Sequence, residues 1–293
     1  MAAIVLKGIK AVNAIKDKLS TRAAELSAAA APPKLAIVRV GGRPDDETYE
    51  RNAAKRCESL GIACELHTFD LPISNADFLD EFRKINADSA VHGVLVMSPL
   101  PEGIDKNAVK DIIDPIKDVD CMSPVNIAKL YAGDSSGHAP CTPSAVMELL
   151  KFYDIPISGS RVTIVGRSLV VGKPLAMLLL AENATLTICH TRTRDITAEC
   201  RHADILIAAT GKARMIGADY IKPGAAVIDV GINVGEDGSL CGDVDYEAAC
   251  GVAGYITPAP GGVGSVTTTM LARNTLDACG MKYNLKYDWT RAT

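Results

Sequence analysis

No run of the chain reaches the roughly 18 uninterrupted apolar residues that a membrane-spanning helix needs. The opening MAAIVLKGIKAVNAIKDKLS interrupts its apolar positions with Lys7, Lys10, Lys16 and Lys18, so it reads as neither a secretory leader nor a membrane span. Charge of one sign is also lacking. With 31 basic and 35 acidic residues the formal net charge is -4, which leaves no basic footprint for nucleic acid and no acidic tail. A small-molecule partner and a cytoplasmic setting are expected. The nine cysteines are an odd number, scattered without a C-x-x-C pair, and the five histidines are equally dispersed. Neither a disulfide framework nor a zinc site is expected, and the thiols read as reduced. His138 and His190 lie near loops of interest, but a lone histidine is more often a packing or hydrogen-bonding residue than a catalyst. Internal repeats are absent, and low complexity is confined to residues 28–33, where a helix ends in Pro32-Pro33.

The 293 residues exceed what one core usually organises, so two domains are expected. Short apolar, β-branched runs at 35–40, 93–97, 162–165, 185–189, 205–208 and 226–230 predict buried strands. Amphipathic stretches at 8–28, 46–60, 74–85, 142–152, 172–182 and 265–278 predict helices between them. Ser74 followed by Asp77 resembles a capping box with Asp in place of Glu. Strands alternating with helices give an α/β fold built on parallel sheets. The Gly, Ser and Pro residues of 131–143 suggest the domain boundary. The assignment is 1–140 for a first catalytic α/β domain joined by 271–293, and 141–270 for a second, Rossmann-like doubly wound domain. The tail at 283–293, with the only tryptophan, Trp289, reads as either docked or frayed.

The segment RVTIVGRSLVVGKPLAMLLL is strand, turn and helix. Gly166 begins the turn, and Gly172 and Pro174 open the helix, an arrangement that presents backbone N–H groups to a phosphate. It is not G-x-G-x-x-G, and two glycines alone also fit an ordinary strand-to-helix turn. The next strand end adds information. Where NAD-binding domains place an acid on the ribose 2'-hydroxyl, this chain has His190-Thr191-Arg192-Thr193-Arg194, a setting suited to a 2'-phosphate. Arg167 adds a cation that can grip phosphate through two parallel hydrogen bonds. Small residues at Ala208-Ala209-Thr210-Gly211 and in Asp229-Val230-Gly231-Ile232-Asn233 let a flat ribose or nicotinamide approach the backbone.

Together with Pro140-Cys141-Thr142-Pro143, Lys117-Asp118-Val119-Asp120, Val171-Gly172-Lys173-Pro174, Lys222-Pro223-Gly224 and the loop Pro258-Ala259-Pro260-Gly261-Gly262-Val263-Gly264, these residues resemble the methylenetetrahydrofolate dehydrogenase/cyclohydrolase family of the FolD type over nearly the whole chain. The resemblance implies two domains flanking a cleft, a homodimer formed through the second domain, and tetrahydrofolate derivatives as substrates. NADP is the implied cofactor, with Thr142, Gly166, Arg167, Ser168, Gly172, Thr191, Arg192, Thr210, Gly211 and Ile232 as cofactor-binding positions. Tyr49 would stack on the pterin and Asp120 would hydrogen-bond it, both serving as catalytic and substrate-binding residues. Pro260, Gly261 and Gly262 would close near the ligands. No metal is implied. Alternatives for the first two are a plain helix residue at Tyr49 and a turn former at Asp120.

The chain departs from the family pattern where hydrolysis is performed. The lysine usual one helical turn after the tyrosine is Ala53, the usual glutamine is Met97, and a usual serine is Asp46. Lys55 lies about 200° around the helix from Ala53's face and should point away. NADP-dependent oxidation of 5,10-methylenetetrahydrofolate to 5,10-methenyltetrahydrofolate is therefore expected with little cyclohydrolase activity. The alternatives are a bifunctional enzyme that also makes 10-formyltetrahydrofolate, with Asp46 as a replacement base, and a non-catalytic folate or dinucleotide-binding protein.

Overall fold

The computed structural model describes residues 3–235 and 238–289. In chain order, β1 (Ile4–Val5) and α1 (Gly8–Ala29) are followed by β2 (Lys34–Val40), α2 (Pro44–Glu58), β3 (Ala63–Phe69), α3 (Asn75–Ala87), β4 (Gly93–Val96), α4 (Lys106–Ile112) and α5 (Pro124–Tyr131). Then come α6 (Cys141–Phe152), β5 (Arg161–Val165), α7 (Gly172–Ala181), β6 (Thr185–Cys189), α8 (Ile196–Arg201) and β7 (Ile205–Ala208). The last elements are β8 (Ala226–Asp229), β9 (Asn233–Val234), β10 (Leu240–Cys241), α9 (Tyr246–Cys250), β11 (Tyr255–Ile256) and α10 (Val263–Lys282). No helix among the described residues is long and apolar enough to cross a membrane. The chain divides into two compact units, 1–14 with 142–267 and 15–141 with 268–293.

The unit of 15–141 and 268–293 is built on a parallel three-stranded sheet in the order β3-β2-β4. Its central strand β2 is buried from Leu35 to Val40, as expected of a parallel strand covered on both faces. Around it, Phe78 stacks on Phe82 at 6.0 Å and meets Phe69 edge-on at 5.4 Å, within a core that includes Val38, Val94 and Val109. No strand is expected at 63–69, because ACELHTF carries charged and polar residues through its length. As an edge strand, β3 leaves those residues half-buried or exposed. The Ser74 hydroxyl accepts the Asp77 amide at 3.1 Å and donates to the Asp77 carboxylate at 2.7 Å. The shorter aspartate thus takes the Ser74 hydroxyl, where the glutamate of a capping box takes the backbone N–H of the capping residue. The tail is docked as far as Trp289, whose indole N–H donates to Asp277 at 2.8 Å and whose ring lies 5.1 Å from the Arg273 guanidinium. Residues 290–293 lie outside the described ones.

His92 joins β4 to β2: its backbone N–H donates to Lys34 O at 2.9 Å and its Nδ1 accepts the Lys34 N–H at 3.2 Å. Burial first, then the positive charges of Lys282, Lys117 and Lys34, lower its pKa to about 4. The folded protein therefore holds the imidazole neutral while the unfolded chain protonates it near pH 6.5. The stabilisation is complete above pH 6.5 and is lost as pH falls toward 4. His92→Asn keeps an acceptor where Nδ1 stands, so between pH 7.5 and 5 its melting temperature should fall less than that of the wild type. Parallel losses in the two proteins would contradict this assignment.

The unit of 1–14 and 142–267 is built on a six-stranded sheet, β1-β11-β8-β7-β5-β6, with every pairing parallel. Apolar residues of β7, β8 and β5, including Leu206, Val227 and Val165, form its core with Ile216 and Ile256. From β5 the chain passes through α7 to β6 on one side, then through α8 to β7 on the other, so the strand order reverses between β5 and β7. Ligands of open α/β sheets bind beyond the strand ends at such a point. The sequence boundaries group residues 1–14 with the first domain. In the structure Ile4 and Val5 instead pair with Tyr255 and Ile256 of this sheet, and a two-residue strand carries no periodic signal that would announce it.

Candidate active site

In the unit of 15–141 and 268–293, Tyr49 and Asp120 come together around Cys141. Tyr49 projects from α2 and is partly buried. Asp120 ends the Lys117-Asp118-Val119-Asp120 turn, which lies along β4: Val94 N–H donates to Lys117 O at 2.7 Å, and Val94 bridges Asp118 in parallel. The fully buried Asp118 carboxylate anchors the start of α5 by accepting the Met122 and Ser123 amides at 2.8 Å each and Asn126 Nδ2 at 2.9 Å. From α10, Asn274 Nδ2 reaches Val119 O at 2.8 Å and Ala139 O at 3.0 Å. The turn is thereby held from both sides, and Asp120 Oδ1 accepts the Cys141 amide at 2.9 Å.

Burial raises the Asp120 pKa, and the two hydrogen bonds from Cys141 oppose that rise. The Tyr49 phenol is pushed well above its usual range by burial first and then by Cys141, Asp120 and Cys57. Cys141 is raised in the same way by burial and by Asp120. The cluster therefore offers a protonated phenol, a carboxyl group and a neutral thiol. It supplies no thiolate nucleophile and no phenolate base.

In the other unit, the positions expected to bind the dinucleotide lie at the strand ends. Gly166, directly after β5, has φ of 137°, and a Cβ there would stand 2.2 Å from the carbonyl oxygen of Ala209, after β7. The two loops at the strand reversal touch backbone to backbone, which only glycine permits. A Cβ on Gly172 would stand 2.2 Å from Gly166 O, so the start of α7 packs directly on the same turn. Ser168 Oγ accepts the Val171 amide at 3.1 Å, and Ser168 O accepts the Lys173 amide at 3.0 Å. Arg167 and Ser168 are exposed, as are Leu169 and Val170, at 60% each.

Beside this turn, after β6, His190 builds a second one. Its N–H donates to Thr193 Oγ1 at 2.9 Å and its Nδ1 accepts the Arg192 N–H at 3.1 Å, which leaves Thr191 and Arg192 exposed. His138, by contrast, bonds Ile116 O through Nε2 at 2.8 Å and is a packing residue. Thr210 and Gly211 follow β7, the latter with φ of 65°. Ile232 follows β8 and is 70% exposed. Thr142 lies in the first turn of α6, half-buried. Pro260 and Gly261 are exposed and Gly262 is buried. The Gly261 carbonyl accepts the Gly8 amide at 2.9 Å.

Sequence reasoning missed two buried carboxylates beneath these loops, Asp229 and Asp243. No spacing in the sequence marks them; in the structure a Cβ on Gly231 would collide with the Asp243 carboxylate and one on Gly242 with that of Asp229.

Two family models match the chain. One, for the catalytic domain of tetrahydrofolate dehydrogenase/cyclohydrolase, covers residues 6–120, and the other, for the NAD(P)-binding domain of the same enzymes, covers 140–283. This chain belongs to the tetrahydrofolate dehydrogenase/cyclohydrolase family. Its relatives include the bifunctional protein FolD 1 of Desulfitobacterium hafniense, 49% identical over 94% of this chain and 98% of that one. Among solved structures, the bifunctional FolD enzyme of Campylobacter jejuni superposes with a TM-score of 0.93 at 38% identity, covering 96% of this chain and all of the other. The Trypanosoma brucei FolD, solved with NADP cofactor and an inhibitor, gives 0.91 at 36% identity over 97% and 99% of the two chains. The unit that carries Gly166 is thus an NAD(P)-binding domain, and the chain is an α/β enzyme of two domains.

Within this family member, Ala53 lies one turn after Tyr49 on α2 and is fully buried. Lys55 is exposed. Met97, just past β4, is 8% exposed, and its amide donates to Val38 O at 2.9 Å. Asp46 is buried and spoken for: Arg43 grips both carboxylate oxygens, Nε at 2.9 Å and Nη2 at 2.8 Å. A further ion pair, Arg39 Nε to Glu50 Oε2 at 2.9 Å, fastens α2 to β2 beside Tyr49. The helix that carries Tyr49 therefore has little freedom to rotate.

Proposed function

We propose that this enzyme oxidises 5,10-methylenetetrahydrofolate to 5,10-methenyltetrahydrofolate with NADP as the acceptor, and that it contributes little to the hydrolysis of the product. The observation that carries the reading is the glycine-tight turn at the strand reversal. Exposed Arg167 stands in it, Thr191 and Arg192 stand beside it, and no acid occupies the end of β6. The same residues fit an NADP dinucleotide: a backbone surface without Cβ atoms for close approach, and cations for a 2'-phosphate. The bound dinucleotide supplies the hydride acceptor. A hydride leaves the methylene carbon as the methenyl cation forms, so no strong acid or base is required of the protein. That suits a cluster whose tyrosine and cysteine both stay neutral.

In this reading Tyr49 offers its ring to the pterin and Asp120 its carboxyl to the pterin's hydrogen-bonding edge. Pro260, Gly261 and Gly262 keep the substrate-loop role that family membership suggests. The active species is read as a homodimer through the NAD(P)-binding domain, whose outermost strand β6 and neighbouring helix leave Ile188 39% and Leu180 55% exposed.

Absorbance of reduced nicotinamide on mixing enzyme, NADP and methylenetetrahydrofolate tests the oxidation directly, and no reduction would defeat it. Tyr49→Ala should remove stacking of about 0.5 to 1.5 kcal/mol, raising the folate KM roughly two- to tenfold with NADP affinity unchanged. Asp120→Asn keeps an oxygen for the Cys141 amide. It should lower kcat/KM for folate while the melting temperature holds within a few degrees. Early unfolding with normal folate kinetics would make both residues structural. A second reading, a fully bifunctional enzyme, is favoured by the bifunctional proteins at 49% and 48% identity; formation of 10-formyltetrahydrofolate by the wild type would establish it.

A further inference from the structure

We infer that Asp243, through its buried carboxylate, is the positioning residue that sets the dinucleotide-facing loops after β7 and β8; the inference rests on the dinucleotide reading of this domain. Asp243 is fully buried in the Gly242-Asp243-Val244-Asp245 turn between β10 and α9. Its Oδ2 accepts the Thr210 amide and, at 3.1 Å, the Gly211 amide. Its Oδ1 accepts the Lys212 amide at 3.1 Å and Asn233 Nδ2 at 2.9 Å. One side chain thus takes three consecutive backbone N–H groups from the loop after β7 and a side-chain amide from the loop after β8. Four acceptor sites meet four donors, which is the full capacity of an ionised carboxylate.

Asp243 is itself held by the second buried acid. Asp229, at the end of β8, accepts the Gly231 amide at 2.9 Å, the Asp243 amide at 3.0 Å and the Val244 amide at 2.9 Å. Its own amide donates to Thr257 Oγ1 at 2.7 Å. The packing leaves no slack: a Cβ on Gly231 would stand 2.2 Å from Asp243 Oδ1, and one on Gly242 would stand 1.8 Å from Asp229 Oδ2. The order of support is Asp229 to the backbone of 243, Asp243 to the amides of 210–212, and those loops to Thr210, Gly211 and Ile232.

The arrangement has a chemical consequence. Because the amides of 210–212 are engaged by Asp243, and the Thr210 hydroxyl also accepts the Lys212 amide at 3.1 Å, this loop does not hold out a row of N–H groups to a phosphate as the Gly166 turn does. Asp243→Asn puts an NH2 group against two of these donors and so removes an acceptor from the part-buried bonds that fix the loop. The loop should then lose its fixed conformation while the Gly166 turn, which Asp243 does not touch, keeps its own.

The test compares wild type, Asp243→Asn and Asn233→Ala by calorimetric NADP binding, steady-state kinetics and amide hydrogen exchange. For Asp243→Asn we expect NADP Kd to rise tenfold or more, kcat to fall, the methylenetetrahydrofolate KM to stay within twofold, and exchange at 210–212 to accelerate more than at 166–173. Asn233→Ala, which removes one donor and strands no backbone amide, should show the same pattern at a few-fold, and it decides the matter if Asp243→Asn does not fold. Unchanged NADP Kd and unchanged exchange at 210–212 in a folded variant overturn the inference while the dinucleotide reading stands. A wild type that binds no NADP overturns that reading instead, and is recognised before any variant is made. A lowered melting temperature with uniform acceleration of exchange and an unaltered NADP Kd would show a purely structural acid.

Discussion

Added to 5,10-methenyltetrahydrofolate at a pH where spontaneous hydrolysis is slow, the protein should leave the decay of methenyl absorbance close to the rate in buffer. Hydrolysis needs water delivered to the methenyl carbon, and a positioned acid–base group commonly contributes a factor of about 10² to 10⁴ to such a step. At the position one turn past Tyr49 the chain offers the methyl group of Ala53. Met97 brings no strong hydrogen bond. The remaining candidate, Asp46, has both carboxylate oxygens engaged by Arg43 at 2.8 and 2.9 Å, so recruiting it as a base would first require breaking a bidentate ion pair. Loss of both the lysine and its amide partner is physically coherent, because an amide left buried without its partner would carry the cost of an unmade hydrogen bond.

Enzyme-dependent decay a hundredfold above buffer would refute the expectation, and its loss in Asp46→Ala would identify the replacement. In the reverse direction, Ala53→Lys with Met97→Gln should gain some hydrolysis where Ala53→Lys alone gains less, a lysine without its partner being poorly oriented. Ala53 is fully buried, so the new side chain should lower stability by about 1 to 3 kcal/mol through overpacking. Assays at low temperature keep the two effects apart.

Replacing Arg167 should divide the two nicotinamide cofactors. A charge-assisted contact to a 2'-phosphate contributes roughly 1.5 to 3 kcal/mol, so Arg167→Ala should weaken NADP about ten- to a hundredfold and leave NAD nearly unchanged. The guanidinium is exposed in the turn that Gly166 and Gly172 hold against Ala209, so its removal disturbs no packed contact and the melting temperature should not move. Equal losses for both cofactors would assign Arg167 to the shared pyrophosphate. Acceleration of the NAD reaction by inorganic phosphate would show that the cations hold a free anion beside NAD, which overturns the preference for NADP.

Most of the strands that the sequence announced are buried along their length: β4, β7 and β8 throughout, and β2 and β5 after their first residue. The edge strand β6 was announced as well, because Thr185, Leu186, Thr187 and Ile188 are apolar or β-branched although they are exposed or half-buried. The silent strands are half polar, as β3 is, or have two residues each, as β1 and β11 do, too few for any period to register. Of the candidate site, Tyr49, Asp120 and the Gly166 turn were reachable because rare residue combinations mark them. Their supports were not. Asn274 acts on main-chain groups 155 and 135 residues away, Asp118 and Asn126 tie together an irregular loop, and Asp229 and Asp243 meet across 14 residues through backbone amides, contacts that leave no spacing rule in a single sequence. The role of Asp46 was also out of reach, since Arg43 three residues before it could equally have pointed to solvent.

The pairing of β1 with β11 bears on how the molecule is made. Ile4 and Tyr255 lie about 250 residues apart in the chain and are neighbours in the sheet, so the first of the two leaves the ribosome about 250 residues before its partner. Until residue 255 emerges, β8 has no neighbour on its outer side and the apolar segment Ile4, Val5 and Leu6 has no strand to join. The domain of 15–141 can meanwhile assemble its own sheet, all of whose strands come from within 34–96. Synthesis therefore has two stages of very different contact order. A nascent chain stalled before residue 255 carries one finished sheet and one with an open edge, the state in which a partly made protein is most exposed to pairing with another copy of itself.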